Sequence, residues 1–205
     1  MENPNTMSPH RAEANAKLSP TGAKLFKFIE FDDKEELLAE IRKHPIGAVA
    51  RAATGTLMAL IIAISVTLLA RNFDSLGVND LGGNDSVRTL LLAGGLILSL
   101  LVLAATALVV VIYQSNVIYV TNQKIAEVAY ISIFNRKVTQ LGLGSIEDVT
   151  FRQQGIFPHL FNYGTIIIET AGEVENCYFS YLPNPNFYSQ EIIQAHEDYI
   201  NLHDD

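Results

Sequence analysis

Two stretches of this chain are apolar around the whole of any helix they would form. Residues 52–70 read AATGTLMALIIAISVTLLA and residues 89–113 read TLLLAGGLILSLLVLAATALVVVIY; neither carries a charge. A bilayer core of about 30 Å is crossed by about 20 helical residues. The pattern therefore predicts two transmembrane helices, at 46–70 and 89–113, joined by a loop at 71–88 rich in Gly, Asn and Asp. Small residues recur on one face of each, Gly55, Ala59 and Ala63 on the first and Gly95, Ser99 and Thr106 on the second. Such faces let helix backbones approach closely in lipid, so an antiparallel hairpin is expected.

Upstream the pattern is different. Residues 1–24 are polar, hold Pro4, Pro9 and Pro20, and show no apolar period, which predicts a disordered tail. A first apolar run this far from the start is not the plan of a signal peptide. In the following segment, 25–45, the stretch DKEELLAEIRK predicts a short amphipathic helix. Asp33 would cap it with Glu36 three residues on, Arg42 and Lys43 would close it, and Leu37, Leu38 and Ile41 would form a narrow apolar face. That face would lie on the bilayer or on the protein's own soluble part.

After Tyr113 the period falls to two. Short runs rich in β-branched and aromatic residues (NVIYVT, KIAEVAYI, RKVTQL, SIEDVTFRQ, TIIIET, VENCYFSYL) alternate with turn residues, as consecutive antiparallel strands do. The apolar stretch from Phe157 to Phe161 falls between two of them and is expected to tuck over the mouth of a barrel, contact with the membrane or a partner being the alternative. Asn184 and Pro185 then start a terminal helix on which Tyr188, Ile192, Ala195, Tyr199 and Leu202 form one stripe. The reading for 114–205 is a small bent barrel or sandwich of about seven strands, one end plugged by that helix.

Charge and chemistry narrow the function. Residues 116–205 hold four basic residues against eleven acidic ones, nearly all of the chain's net charge of −8. Nucleic-acid phosphates and anionic headgroups repel such a domain as a whole. Its candidate exception is a basic spot of Lys124, Arg136 and Lys137. Basic residues near the ends of the apolar runs (Lys34, Arg42, Lys43, Arg51 and Lys124) outnumber those of the connecting loop (Arg71 and Arg88), which predicts both termini in the cytoplasm. The single cysteine, Cys177, fits a reducing compartment. The five histidines show no ligand spacing, and no nucleophile, general-base or phosphate-loop motif stands out. The expectation is a protein that is not an enzyme and takes no metal or cofactor.

The order of certain residues resembles a known family. Tyr119-Val120-Thr121-Asn122-Gln123-Lys124-Ile125, then Asn135-Arg136, Asp148-Val149, Gly164-Thr165-Ile166 and Asn184-Pro185, preceded by His44-Pro45 before the apolar helices, are similar to bacterial pleckstrin-homology-like domains of the membrane-flanked, YdbS-like kind. Lys124 stands where members commonly carry Arg, and no Gly occurs at 129–131. The resemblance implies an α+β membrane protein, with the hairpin followed by a PH-like barrel capped by its C-terminal helix. It also implies structural roles for His44, Pro45, Tyr119, Thr121, Asn122, Asp148, Gly164, Thr165, Asn184 and Pro185. PH-like domains are binding scaffolds, so the expected partners are the bilayer and a protein partner or a second copy, with lipid headgroups as the alternative ligand and no nucleic acid.

Overall fold

A computed structural model describes residues 18–29, 35–72, 84–171 and 176–203. The expected tail up to residue 17, the cap at Asp33 and most of the loop at 73–83 lie outside these residues. The described chain divides into two units, one formed by Met1–Ile46 with Ile112–Asp205, the other by Gly47–Val111.

The first unit is α+β. It begins with a short helix α1 (Pro20–Leu25), a 3-10 turn (Phe26–Phe28) and strand β1 (Leu37–Arg42). Helices α2 (Pro45–Arg71) and α3 (Asn84–Gln114), most of whose residues form the second unit, interrupt it in the chain. Six strands come next: β2 (Val117–Thr121), β3 (Lys124–Tyr130), β4 (Arg136–Gly142), β5 (Ile146–Arg152), β6 (Tyr163–Thr170) and β7 (Cys177–Pro183). Helix α4 (Ile156–Phe161) lies between β5 and β6, and α5 (Pro185–His203) closes the chain. The strands form two antiparallel sheets, β1-β2-β3-β4 and β5-β6-β7.

The seventh strand is the main departure from the sequence reading. DKEELLAEIRK holds no helix among its described residues: Leu37–Arg42 pairs antiparallel with β2, from Leu37 opposite Thr121 to Arg42 opposite Val117. The capping and dipole signals of this segment are worth about a kilocalorie each. They lose to the gain from covering β2, all five of whose residues are buried. A bulge between Leu37 and Ala39 switches faces, so Leu37 and Ile41 enter different cores. The domain therefore does not start at residue 114. Its first strand precedes the two apolar helices, which are inserted into the β1–β2 connection.

Two cores result. Between the sheets lie Ile41, Ile118, Val120, Ile125, Leu143 and Ile166, with Ile192 and Ala195 of α5 over one end. On the outer face of the first sheet, Leu25, Phe26 and Ile29 cover Val117, Tyr119 and Val128. Residues 18–24 are thus folded, not part of a disordered tail. Ser19 caps α1 through its hydroxyl, which accepts the Gly22 N–H at 3.0 Å, and Glu40 of β1 accepts from the Ser19 N–H and hydroxyl at 2.8 and 2.6 Å. The Tyr119 hydroxyl donates to Gly22 O at 2.7 Å. Burial, reinforced by the nearby Glu40 carboxylate, pushes that phenol far above its ordinary pKa, so it stays a donor. In α5 the expected stripe holds for Tyr188, Ile192, Ala195 and Tyr199. Leu202 is a correction: it is exposed, past the last residue with sheet beneath it.

In the second unit α2 and α3 pack antiparallel. A Cβ on Gly95 would lie 2.5 Å from Val66 Cγ1, and one on Gly55 would collide with the Thr106 side chain. Ala59 and Ser99 are buried. The hydroxyls of Thr67, Ser99 and Thr106 donate to the carbonyl four residues back, which leaves no unpaired donor on these faces. Both helices are long and apolar enough to cross a membrane, yet only 6% and 11% of their most apolar windows are buried. A core helix of a water-soluble protein would be mostly covered.

Candidate functional site

The motif residues hold the fold at its joints. At the β2–β3 turn the Thr121 hydroxyl oxygen accepts the Gln123 and Lys124 N–H groups at 3.2 and 2.9 Å, and faces Glu35 Oε1 at 2.7 Å. Asn122 Oδ1 accepts the Glu36 N–H at 2.9 Å, and the Asn122 N–H donates back to Glu36 O. Lys124 Nζ lies 3.1 Å from Glu35 Oε2, whose side chain is fully buried. The T-N-x-K order thus ties the β2–β3 turn to the segment entering β1.

A second joint lies where the chain leaves for α2 and returns from α3. The His44 N–H donates to Tyr181 O at 2.6 Å, His44 O accepts the Tyr113 hydroxyl at 2.8 Å, and His44 Nδ1 accepts the Ile46 N–H at 3.1 Å. Pro45 follows as the first helical residue, where its missing N–H costs nothing. The His44 ring stacks on Tyr163 at 5.4 Å, Tyr163 stacks on Tyr181 at 5.7 Å, and Tyr113 meets Tyr181 edge-on. Burial holds the His44 imidazole below its ordinary pKa, in keeping with the acceptor role of Nδ1. Tyr181 adopts a left-handed backbone, φ 60°, a strain of order 1–3 kcal/mol that turns its carbonyl towards His44.

Nearby, a Cβ on Gly164 would lie 2.6 Å from Arg152 O, so only glycine fits. Thr165 follows it in β6, opposite Arg152 and Ser180. Asn162 and Asn184, both left-handed, pair with each other: the Asn184 N–H donates to Asn162 O, and Asn162 Nδ2 donates to Asn184 Oδ1 at 2.5 Å. That engages the side chain expected to cap α5, while Pro185 takes the first helical position as predicted. Asp148 is exposed and accepts from the Val149 N–H and the Thr150 hydroxyl.

The basic spot does not form. Register places Lys124 opposite Gly142 and Tyr130 opposite Arg136, with Lys137 opposite Ala129. Six residues of strand separate the two ends, about 20 Å. Lys124 is paired with Glu35 at one end. Arg136 and Lys137 sit at the other, the Arg136 guanidinium 3.5 Å over the Phe28 ring.

Two concave sites were not anticipated. A cavity of about 410 Å³ opens between β3–β4 and β7, lined by Glu127, Lys137, Thr139, Leu141, Cys177 and Phe179. Burial pushes the Glu127 carboxyl above its ordinary pKa, only partly offset by Lys43 and Lys137. Burial also raises the Cys177 thiol, which disfavours the nucleophilic thiolate. A cleft of about 430 Å³ on the second sheet is lined by Arg152, Pro158, Tyr163, Tyr178 and Tyr181. Strand alternation could have shown Glu127 entering an otherwise apolar face of β3, but not which strand faces it. Among the described residues no three His, Cys, Asp or Glu side chains gather as a metal set.

Glu127 gives a pH-dependent expectation. Its folded pKa lies above its unfolded one, so the folded state binds the proton more tightly. Its contribution to stability is fully present below the unfolded pKa and is lost as pH rises through the folded pKa. Glu127→Gln should therefore raise the melting temperature at neutral pH and leave it nearly unchanged at about pH 4, near the carboxylate reference value. Equal effects at both pH values would show that the carboxyl is not held up by its surroundings.

The tucked loop is also corrected. Phe157, Leu160 and Phe161 of α4, with Ile156 before them, point into open space, Ile156 being 83% exposed. Gln153 Nε2 braces this helix against Pro158 O, Asn162 Oδ1 and Tyr163 O at 3.2–3.3 Å. The β3–β4 turn is a second exposed apolar tip, with Ile131, Ile133 and Phe134, the last 98% exposed. An apolar run at a turn, here ISIF, is itself a sequence signal of such a tip.

No curated protein and no solved structure matches the chain. The bacterial PH domain family does match, over residues 44–194, from the His44 joint through both apolar helices to α5. The seven strands among the described residues, in two antiparallel sheets closed by a terminal helix, are the PH-like arrangement, and with a match over well over half its length the chain belongs to the bacterial PH domain family.

Proposed function

We propose that this is a membrane-anchored PH-like protein, without enzymatic activity, that binds a protein or peptide partner at the cytoplasmic face of the bilayer. The observation that carries the reading is the insertion of two apolar, outward-exposed helices within one strand connection of the domain. Strand β1 enters and β2 leaves that insertion as hydrogen-bonded neighbours, so the domain cannot detach from its anchor. The cavity between β4 and β7 supports a partner site. It is bordered by β4 and β7, each the last strand of its sheet, an edge of the kind to which an extended peptide adds, and it holds a half-buried thiol and a carboxyl held towards its neutral form.

Topology tests the first half. In a Cys177→Ser background, a cysteine replacing Asp85 should react with an impermeant reagent in intact cells, and one replacing Asn186 should not. Reaction at Asn186 alone would invert the orientation, and equal reaction at both would remove the spanning reading. For the second half, a partner retained in mild detergent should be lost from Cys177→Phe, which fills the cavity, and kept by an exposed control, Leu202→Ala. Retention by both variants would move the partner site elsewhere.

A further inference from the structure

The strand register sends both exposed apolar tips to one end of the domain, the end where the two apolar helices are rooted. The Tyr130 N–H, last in β3, donates to Asn116 Oδ1 at 2.7 Å, and the Asn116 N–H donates to Tyr113 O. The β3–β4 tip therefore begins two hydrogen bonds from the root of α3. On the other sheet, Tyr163, one residue beyond Asn162 and the end of α4, stacks directly on His44 at the root of α2.

Charge follows the same axis. Arg42, Lys43, Arg136, Lys137 and Arg152 all stand at strand ends on the root side. Glu147, Asp148 and Glu169 lie at the opposite ends of β5 and β6. Glu197 and Asp198 flank His196 and Tyr199, which reach the 3-10 turn Leu143–Ser145 on that far side. The strongly acidic total thus conceals a polarised domain whose basic end carries the apolar tips.

We infer that this end is a bilayer-seating face: the β3–β4 tip (Ile131, Ile133, Phe134) and α4 (Ile156, Phe157, Leu160) insert into the headgroup–acyl boundary of the membrane that holds the two helices. The occupant is phospholipid because apolar tips above a basic collar, beside Tyr163 and Tyr181, match a membrane interface layer by layer. Acyl chains take the tips, the headgroup level takes the tyrosines, and phosphates take Arg136, Lys137 and Arg152. The inference rests on the spanning reading of α2 and α3. It adds that the domain is held down on the bilayer at its rim and does not swing on its two roots.

The chain has no tryptophan, so single replacements report without background. The full chain is reconstituted into vesicles of phosphatidylcholine with phosphatidylglycerol, with or without lipid brominated near the glycerol end. Phe134→Trp and Phe157→Trp should lose roughly half of their emission to the brominated lipid, since interfacial side chains sit about 5–10 Å below the surface. Leu202→Trp, at the far end, should lose none. Leu101→Trp, on the exposed face of α3, reports the spanning reading separately. Quenching of Leu101→Trp with none at either tip would overturn the seating face alone, and no quenching at any of the three would overturn both readings. Blue-shifted but unquenched tips would mean that protein covers them, which also overturns it. Replacing Arg136, Lys137 and Arg152 together by Glu should weaken tip quenching in the mixed lipid more than in phosphatidylcholine alone.

Discussion

A chain in which residues 47–111 are replaced by a short Gly-Ser linker should express without detergent as a monomeric domain with one cooperative melt. Residues 116–205 alone should not. The joint makes the first half of this expectation. His44 O and the Tyr113 hydroxyl are 2.8 Å apart, and Arg42 stands opposite Val117 in the ladder, so the two cut ends are already neighbours. A flexible link of a few residues spans such a gap at small entropic cost. The second half follows from what residues 116–205 lack. Without β1, strand β2 becomes a free edge carrying Val117, Ile118, Tyr119 and Val120, all now buried. Without Leu25, Phe26 and Ile29, the outer face of the first sheet is bare. Each fully buried large apolar side chain is worth about 1.5–3 kcal/mol, and a whole domain is stable by only about 5–15 kcal/mol. Losing both covers should remove the cooperative transition and promote association through the β2 edge. Circular dichroism melts and light scattering of the two proteins decide the matter. Equal, reversible melts would show that β1 and α1 are accessories to the domain.

That expectation also marks where reading the sequence ran out. The apolar helices, the six strands after them and the terminal helix were legible because each has a period of its own, and local chemistry sets each period. Strand β1 was not. Five of its six residues pair with a strand about 80 positions later, and a capping pattern cannot compete with a long-range ladder it does not encode. The same limit affected charge. Lys124, Arg136 and Lys137 are near in sequence, but a seven-residue strand carries the first to one end of the sheet and the hairpin leaves the others at the opposite end. Net charge was right as a sum and wrong as a guide, because an antiparallel sheet sorts residues by end and a sum discards position. The motif residues fared better. Thr121 and the His44-Pro45 pair make bonds over two or three residues, and Gly164 requires one side-chain size, so their order was readable even where their distant partners were not, whereas Asn122 bonds to Glu36 across the whole insertion.

The terminal helix should prove the most sensitive element to a single charge. Ile192 is 1% exposed and lies in the inter-sheet core with Ala195, flanked by Tyr188 and Tyr199. Asp at this position would place a carboxylate among Ile166, Ile168 and Leu182, all fully buried. Among the described residues no basic side chain belongs to that core. Basic residues collect at strand ends on the rim, Glu191 beside Ile192 is itself acidic, and His196, one turn on along the helix, already has Nδ1 at 2.8 Å from Leu143 O. An unpaired carboxylate in such a site either stays ionised at prohibitive cost or takes up a proton, and either route costs several kcal/mol, comparable with the stability of the whole domain. Ile192→Asp should therefore abolish the near-ultraviolet circular dichroism of the tyrosines around it while the two apolar helices keep their far-ultraviolet signal. Leu202→Asp, one turn past the sheet and exposed, should melt like the parent. If both variants keep the parent melting curve, α5 is not the plug of this domain. If both lose it, Leu202 belongs to the packed stripe after all.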